Sequence, residues 1–127
     1  MLKMKLIALF LLLGLSACGS SQQFAAIPSD LDRERVPRQS LDISAERYKF
    51  TPEVIRVKKG TLLTLKITSI EGTHGFQLKA FGIDVRLDEG ETKIVELYAG
   101  EKGEYPFRCS HLCGIGHLGM TGKIIVQ

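Results

Sequence analysis

The sequence is poor in helical signal. From residue 41 onward no window carries an uninterrupted apolar stripe at helical spacing, which excludes a helix bundle. Cysteine is scarce at three in 127 residues, so a dense disulfide framework does not hold the chain together. Charge of one sign is lacking too. The chain has 17 basic and 14 acidic residues, and setting aside residues 1–17, with two lysines and no acids, leaves +1. That is no field for nucleic acid. The apolar run from Leu6 to Leu13 is too short to span a bilayer. Internal repeats, low-complexity tracts, paired carboxylates and an activated hydroxyl are all missing, so no catalytic set and no small-molecule substrate are expected.

What is present begins with a leader. Lys3 and Lys5 precede the apolar run, and Leu15-Ser16-Ala17-Cys18 closes it with small residues before a cysteine. Residues 1–17 therefore read as a signal peptide. The Leu-Ser-Ala-Cys end resembles a bacterial lipobox, which implies cleavage before Cys18, lipid on its sulfur, and an extracytoplasmic membrane-anchored protein, on the periplasmic face where two membranes exist. Residues 18–40, polar and proline-containing with alternating charges, read as a flexible tether with an r.m.s. reach of roughly 25 Å. A short helix over Ser29–Arg35, capped by Ser29, is the alternative.

Residues 41–127 form one domain, large enough to bury a core of its own. Short alternating runs between turn signals predict an all-β, two-sheet Greek-key sandwich of about eight strands. "TLLTLKIT" puts Leu63, Leu65 and Ile67 on one face, and Val95 and Leu97 share another. Pro52 and Gly60 bracket "EVIRVKK", which suits an edge strand. In "HGFQL" and "YPFRC" the alternation puts His74 with Phe76 and Leu78, and Cys109 with Phe107 and Tyr105. His74 and Cys109 thus lie on apolar faces near strand ends that can meet at one end of the sandwich.

The segment "CSHLCGIGHLGM" carries the chemistry. Cys109, Cys113, His117 and Met120 would also line up on one face of a helix, but Gly114, Gly116 and Gly119 cost about 1 kcal/mol each in a helix interior and instead favour a tight loop. His74 and this loop hold all three histidines of the chain, both cysteines beyond Cys18, and the one methionine beyond the leader. A metal site is the expectation. Thiolate, imidazole and thioether together favour copper. Zinc remains open as a Cys2His2 site, although it has no use for Met120 and the cysteine and histidine pairs lack its usual spacing. A single copper needs only one cysteine, and this loop offers two.

These residues resemble a family, the CuA cupredoxin domain of cytochrome c oxidase subunit II, also found in nitrous oxide reductase. The motif is Cys-x-x-x-Cys-x-x-x-His-x-x-Met with an upstream histidine. "YKFTPEVIRVKKG", "KITS", "HGF", "GEYPFRCSHLCGIGHLGM" and "GKIIV" extend the likeness over most of residues 41–127, and the bacterial ba-type oxidase domain is the version it resembles. The resemblance implies two coppers bridged by Cys109 and Cys113, with His74 and His117 completing one copper each. Met120 and the backbone carbonyl of His111 are implied as weak axial ligands. Two departures accompany it. Oxidases of the family commonly carry glutamate where this chain has His111, and subunit II normally brings transmembrane helices where this chain has a leader and a lipid signal.

The implied function is electron transfer between a redox donor such as cytochrome c and an oxidase or reductase, with no enzyme activity of its own. Phe76, Phe81 and Phe107 are expected to form the apolar shell, and His117 to be the solvent-facing ligand. The alternatives are an accessory subunit of an oxidase or nitrous oxide reductase, a mononuclear blue-copper carrier, and a copper-delivery protein.

Overall fold

The computed structural model describes residues 27–127. The leader, Cys18 and its lipidation signal, and the first part of the tether lie outside the described residues. Nine strands follow: β1 Arg38–Glu46, β2 Lys49–Thr51, β3 Val54–Val57, β4 Thr61–Ser69, β5 His74–Leu78, β6 Ile83–Leu87, β7 Thr92–Ala99, β8 Gly103–Arg108 and β9 Thr121–Val126. Among the described residues the only helical pieces are single 3-10 turns at Lys79–Phe81 and His117–Gly119, and no helix is long and apolar enough to cross a membrane.

The strands form two mixed sheets, ordered β2-β1-β4-β7 and β3-β9-β8-β5-β6. Each contains one parallel pair, β1 with β4 and β3 with β9. The edge position expected of the "EVIRVKK" strand is found in β3. Alternation built the core as the sequence implies. Leu63, Leu65 and Ile67 of β4, Leu97 of β7 and Ile43 of β1 face inward from one sheet, and Phe76, Leu78, Phe107 and Ile124 are buried in the other. Burying each such side chain stabilises the fold by about 1.5–3 kcal/mol. On the far face of the first sheet, the Thr68 and Thr92 hydroxyls pair at 2.7 Å across β4 and β7.

The stretch read as tether is partly docked. β1 starts at Arg38, within it, and the residues before it form turns rather than the alternative helix. Leu31 N–H donates to the Pro28 carbonyl, and Arg35 and Val36 donate to the Asp32 carbonyl. Arg33 pairs with Glu96 of β7, and the Pro37 carbonyl accepts from Leu62 N–H of β4. Alternating charges look like solvated chain in a sequence, but here one of them meets a partner on a neighbouring strand.

Candidate metal centre

Strand register brings the donors to one end. β5 runs antiparallel to β8 with Gln77 opposite Arg108, so His74 and Gly75, at the start of β5, lie beside the residues that leave β8. The approach is close: a Cβ on Gly75 would overlap the Ser110 hydroxyl and sit 2.8 Å from the His111 nitrogen, so only glycine fits. The bare Gly75 N–H then donates to Cys109 Sγ at 3.4 Å.

The loop from Cys109 to Met120 is closed at its neck, where Cys109 N–H donates to the Met120 carbonyl at 2.9 Å and Arg108 pairs with Thr121. Inside it, nested turns wind the chain: His117 N–H to the Gly114 carbonyl, Gly119 to Gly116, and Met120 to His117. Gly114 stands at φ +127, a conformation open to glycine and strained for other residues.

All the expected donors converge. Cys109 Sγ and Cys113 Sγ are 3.5 Å apart and unoxidised. His74 supplies a third group, its ring nitrogen and the two sulfurs lying within 4.8 Å of one another. His117 Nδ1 is 3.6 Å from Cys113 Sγ, Met120 Sδ is 3.9 Å from the same sulfur, and the His111 carbonyl is 3.0 Å from Cys109 Sγ. The two histidines differ in exposure: His74 is completely buried, whereas His117 is half-buried in the loop.

Two features show that this set suits a metal. His74 Nε2 lies 2.6 Å from the Glu71 carbonyl, which can only accept, so Nε2 carries the proton. Nδ1 is then a bare lone pair, buried and without a partner. Such an orphan costs roughly 1–3 kcal/mol unless something satisfies it, and an imidazole held by its other nitrogen is how metal-binding histidines are oriented. The second feature is the thiol pair. Burial, together with the hydrogen bond and charge of Cys109, pushes the Cys113 thiol up to about 11, with the Arg47 charge acting the other way. Two thiolates this close need a cation between them.

The expected apolar shell gains one residue, Phe50. Phe76 and Phe107 pack against Phe50, with ring centroids 4.9 to 5.7 Å apart, and this trio shares one core cluster with Cys109 and Met120. Phe81 is partly buried against the same cluster and meets Tyr105 at 5.1 Å. It leaves β5 on a 3-10 turn, away from the alternating register that points Phe76 inward. Phe50 was missed because β2 is only three residues long, too short for alternation to be read. Tyr48 was missed as well: its ring lies against the loop at Gly114 and Gly116.

A nine-stranded sandwich that gathers cysteines, histidines and a methionine at one end defines a class. The chain belongs to the cupredoxin-like domain family, a copper-binding family whose model matches residues 5–126. It is 34% identical over 85 residues to cytochrome c oxidase subunit 2 of Thermus thermophilus, covering 67% of this chain and 63% of that protein. It is also 27% identical over 92 residues to nitrous-oxide reductase of Cupriavidus necator, covering 69% of this chain and 14% of that enzyme. In structure it matches a chain of a heme-copper terminal oxidase dimer, with a TM-score of 0.68 and 27% identity over 76% of this chain and 69% of that one. The chain thus spans less than two thirds of the length of these curated relatives.

Proposed function

We propose that the chain is an electron carrier with a dinuclear CuA centre, which Cys109, Cys113, His74 and His117 would hold, with Met120 and the His111 carbonyl as weaker donors. The observation that carries this reading is the pair of cysteine sulfurs 3.5 Å apart with two histidines at hand, His117 Nδ1 3.6 Å from Cys113 Sγ and a His74 ring nitrogen within 4.8 Å of both sulfurs. A mononuclear site would leave one of those sulfurs without a role. Two coppers held by these residues would supply a one-electron couple.

The chain's own residues do the rest. β5 and the neck between β8 and β9 fix the donors on rigid strand ends, so their positions change little between redox states. Phe50, Phe76 and Phe107 keep water from the buried side. Half-buried His117 offers the edge through which an electron enters or leaves. Two thiols, two imidazoles, a thioether and a carbonyl would leave a bound metal little room for a substrate, which favours transfer over catalysis. Partners of this kind are a cytochrome c and a terminal oxidase or reductase. The Leu-Ser-Ala-Cys sequence supports anchoring through lipid on Cys18 at the outer side of a bacterial membrane, with residues 41–127 as the functional domain.

Full-length protein loaded with copper should bind two coppers per chain, turn purple, and show more hyperfine lines in its electron-spin spectrum than one copper nucleus produces. Cys109→Ser or Cys113→Ser should leave at most one. Copper at one equivalent per chain, with a spectrum indifferent to which cysteine is lost, would return the site to the mononuclear blue-copper class. Mass analysis of the membrane fraction should find Cys18 diacylated; a free thiol there would remove the anchor from the proposal.

A further inference from the structure

The dinuclear reading leaves one part of the molecule without a role, the hairpin corner between β1 and β2. It carries Arg47 and Tyr48, and each touches a different donor-bearing loop. The Arg47 guanidinium lies over Gly72, 3.4 Å from where a Cβ would stand, and reaches Glu71 Oε1 at 3.4 Å. Glu71 is the residue whose carbonyl holds the His74 ring. Tyr48 lies on the other loop: its hydroxyl is 2.6 Å from a Cβ built on Gly114, and its ring overlaps one built on Gly116.

Gly116 makes the second contact informative. Its φ is −83, which any residue adopts. Glycine is required there by space rather than by conformation, and the space is taken by Tyr48. Gly119, in the same loop, has nothing within 4 Å of its Cβ position. The glycine density of the loop therefore has separate causes, and one of them is a tyrosine ring laid on the backbone between Cys113 and His117.

We infer that the Arg47–Tyr48 corner is a clasp that positions the two halves of the metal centre against each other, His74 through Glu71 and Cys113 with His117 through the glycine backbone. The inference rests on the dinuclear reading. Its energetic weight is on Tyr48. The Arg47–Glu71 pair is half exposed on both sides, and such pairs contribute little. A flat ring against bare backbone restricts the loop without contributing a donor, so it acts on ligand geometry alone.

The test uses full-length copper-loaded protein and reads copper release to a chelator, the hyperfine pattern and the midpoint potential, with the sheet signal in circular dichroism as the control for folding. Tyr48→Ala should release copper about tenfold faster or more, as losses in the supporting shell of a metal site do, with an altered hyperfine pattern and an unchanged sheet signal. Tyr48→Phe keeps the ring and should behave as wild type. Arg47→Ala should change release by less than about fivefold.

Gly116→Ala should mimic the loss of Tyr48, because a methyl must push ring and loop apart. Combined with Tyr48→Ala it should cost less than the two changes added, the signature of direct coupling. If Tyr48→Ala loses its strands altogether, Gly116→Ala alone decides. A wild-type protein with two coppers, together with Tyr48→Ala or Gly116→Ala variants that keep its release rate, spectrum and potential, would overturn the clasp. One copper per chain in the wild type would overturn the dinuclear reading instead, a result visible before any variant is made.

Discussion

In β4, Leu63, Leu65 and Ile67 turn inward and are fully buried, while in the loop between β8 and β9 Leu112 and Leu118 are 76% and 87% exposed and Ile115 is entirely so. The same residue types take opposite sides because the two interiors want different atoms. Behind β4 the interior is hydrocarbon, and alternation sends leucine there. Behind the loop the inward positions go to Cys109, Cys113, His117 and Met120, so the apolar side chains between them turn to solvent. Apolar pattern reports burial only where the core is apolar; at a donor site it inverts.

The contrast can be sharpened by substitution on each side. The largest effect is expected in the sandwich: Phe107→Ala, within the aromatic trio, should destabilise the protein by about 3–5 kcal/mol in chemical denaturation, with or without copper. Met120→Leu sits where the two regimes meet, since Met120 is fully buried and its sulfur lies 3.9 Å from Cys113 Sγ. As a volume-conserving change it should cost less than about 1.5 kcal/mol. It should keep the dinuclear spectrum and shift the midpoint potential, because a weakly bound thioether would tune a copper more than hold it. A lost second copper would show that Met120 belongs to the structural donors.

A pH series probes the loop alone. The Cys113 thiol is raised from 9.0 to about 11, so the folded metal-free protein holds this proton more tightly than the unfolded chain. That stability is fully present below pH 9 and is lost as pH rises toward 11. Denaturation of the metal-free protein should show this decline, and copper loading should abolish it, since bound thiols are already deprotonated. The smallest effect is expected outside: Leu118→Ser should change stability by no more than about 0.5 kcal/mol. A loss like that of Phe107→Ala would mean that the outward leucines are structural after all.

These two regimes also explain what could be read from the sequence. The alternating strands, the edge position of β3 and the meeting of His74 with Cys109 were legible because periodicity and spacing are local. The convergence of Cys109, Cys113, His117 and Met120 was legible because rare residue types clustered. Less could be said where contacts are distant in sequence and chemically ordinary. Tyr48 rests on Gly114 and Gly116, Arg33 pairs with Glu96, and Phe50 completes a trio with Phe76 and Phe107. Nothing in a window around any of these residues names its partner. Phe81, expected beside Phe76 and Phe107, packs at the margin of the same cluster, with its ring on Tyr105.

The closed neck of the donor loop has a bearing on how such a protein changes over generations. Because Arg108 pairs with Thr121 and Cys109 N–H reaches the Met120 carbonyl, everything between is an insert between two already paired strand ends. Lengthening or shortening such an insert costs closure entropy that grows only slowly with length, about 0.6 kcal/mol per doubling. The sandwich can therefore keep its paired strand ends while the insert changes length, within what Tyr48 on Gly116 and the burial of Cys109 and Met120 permit.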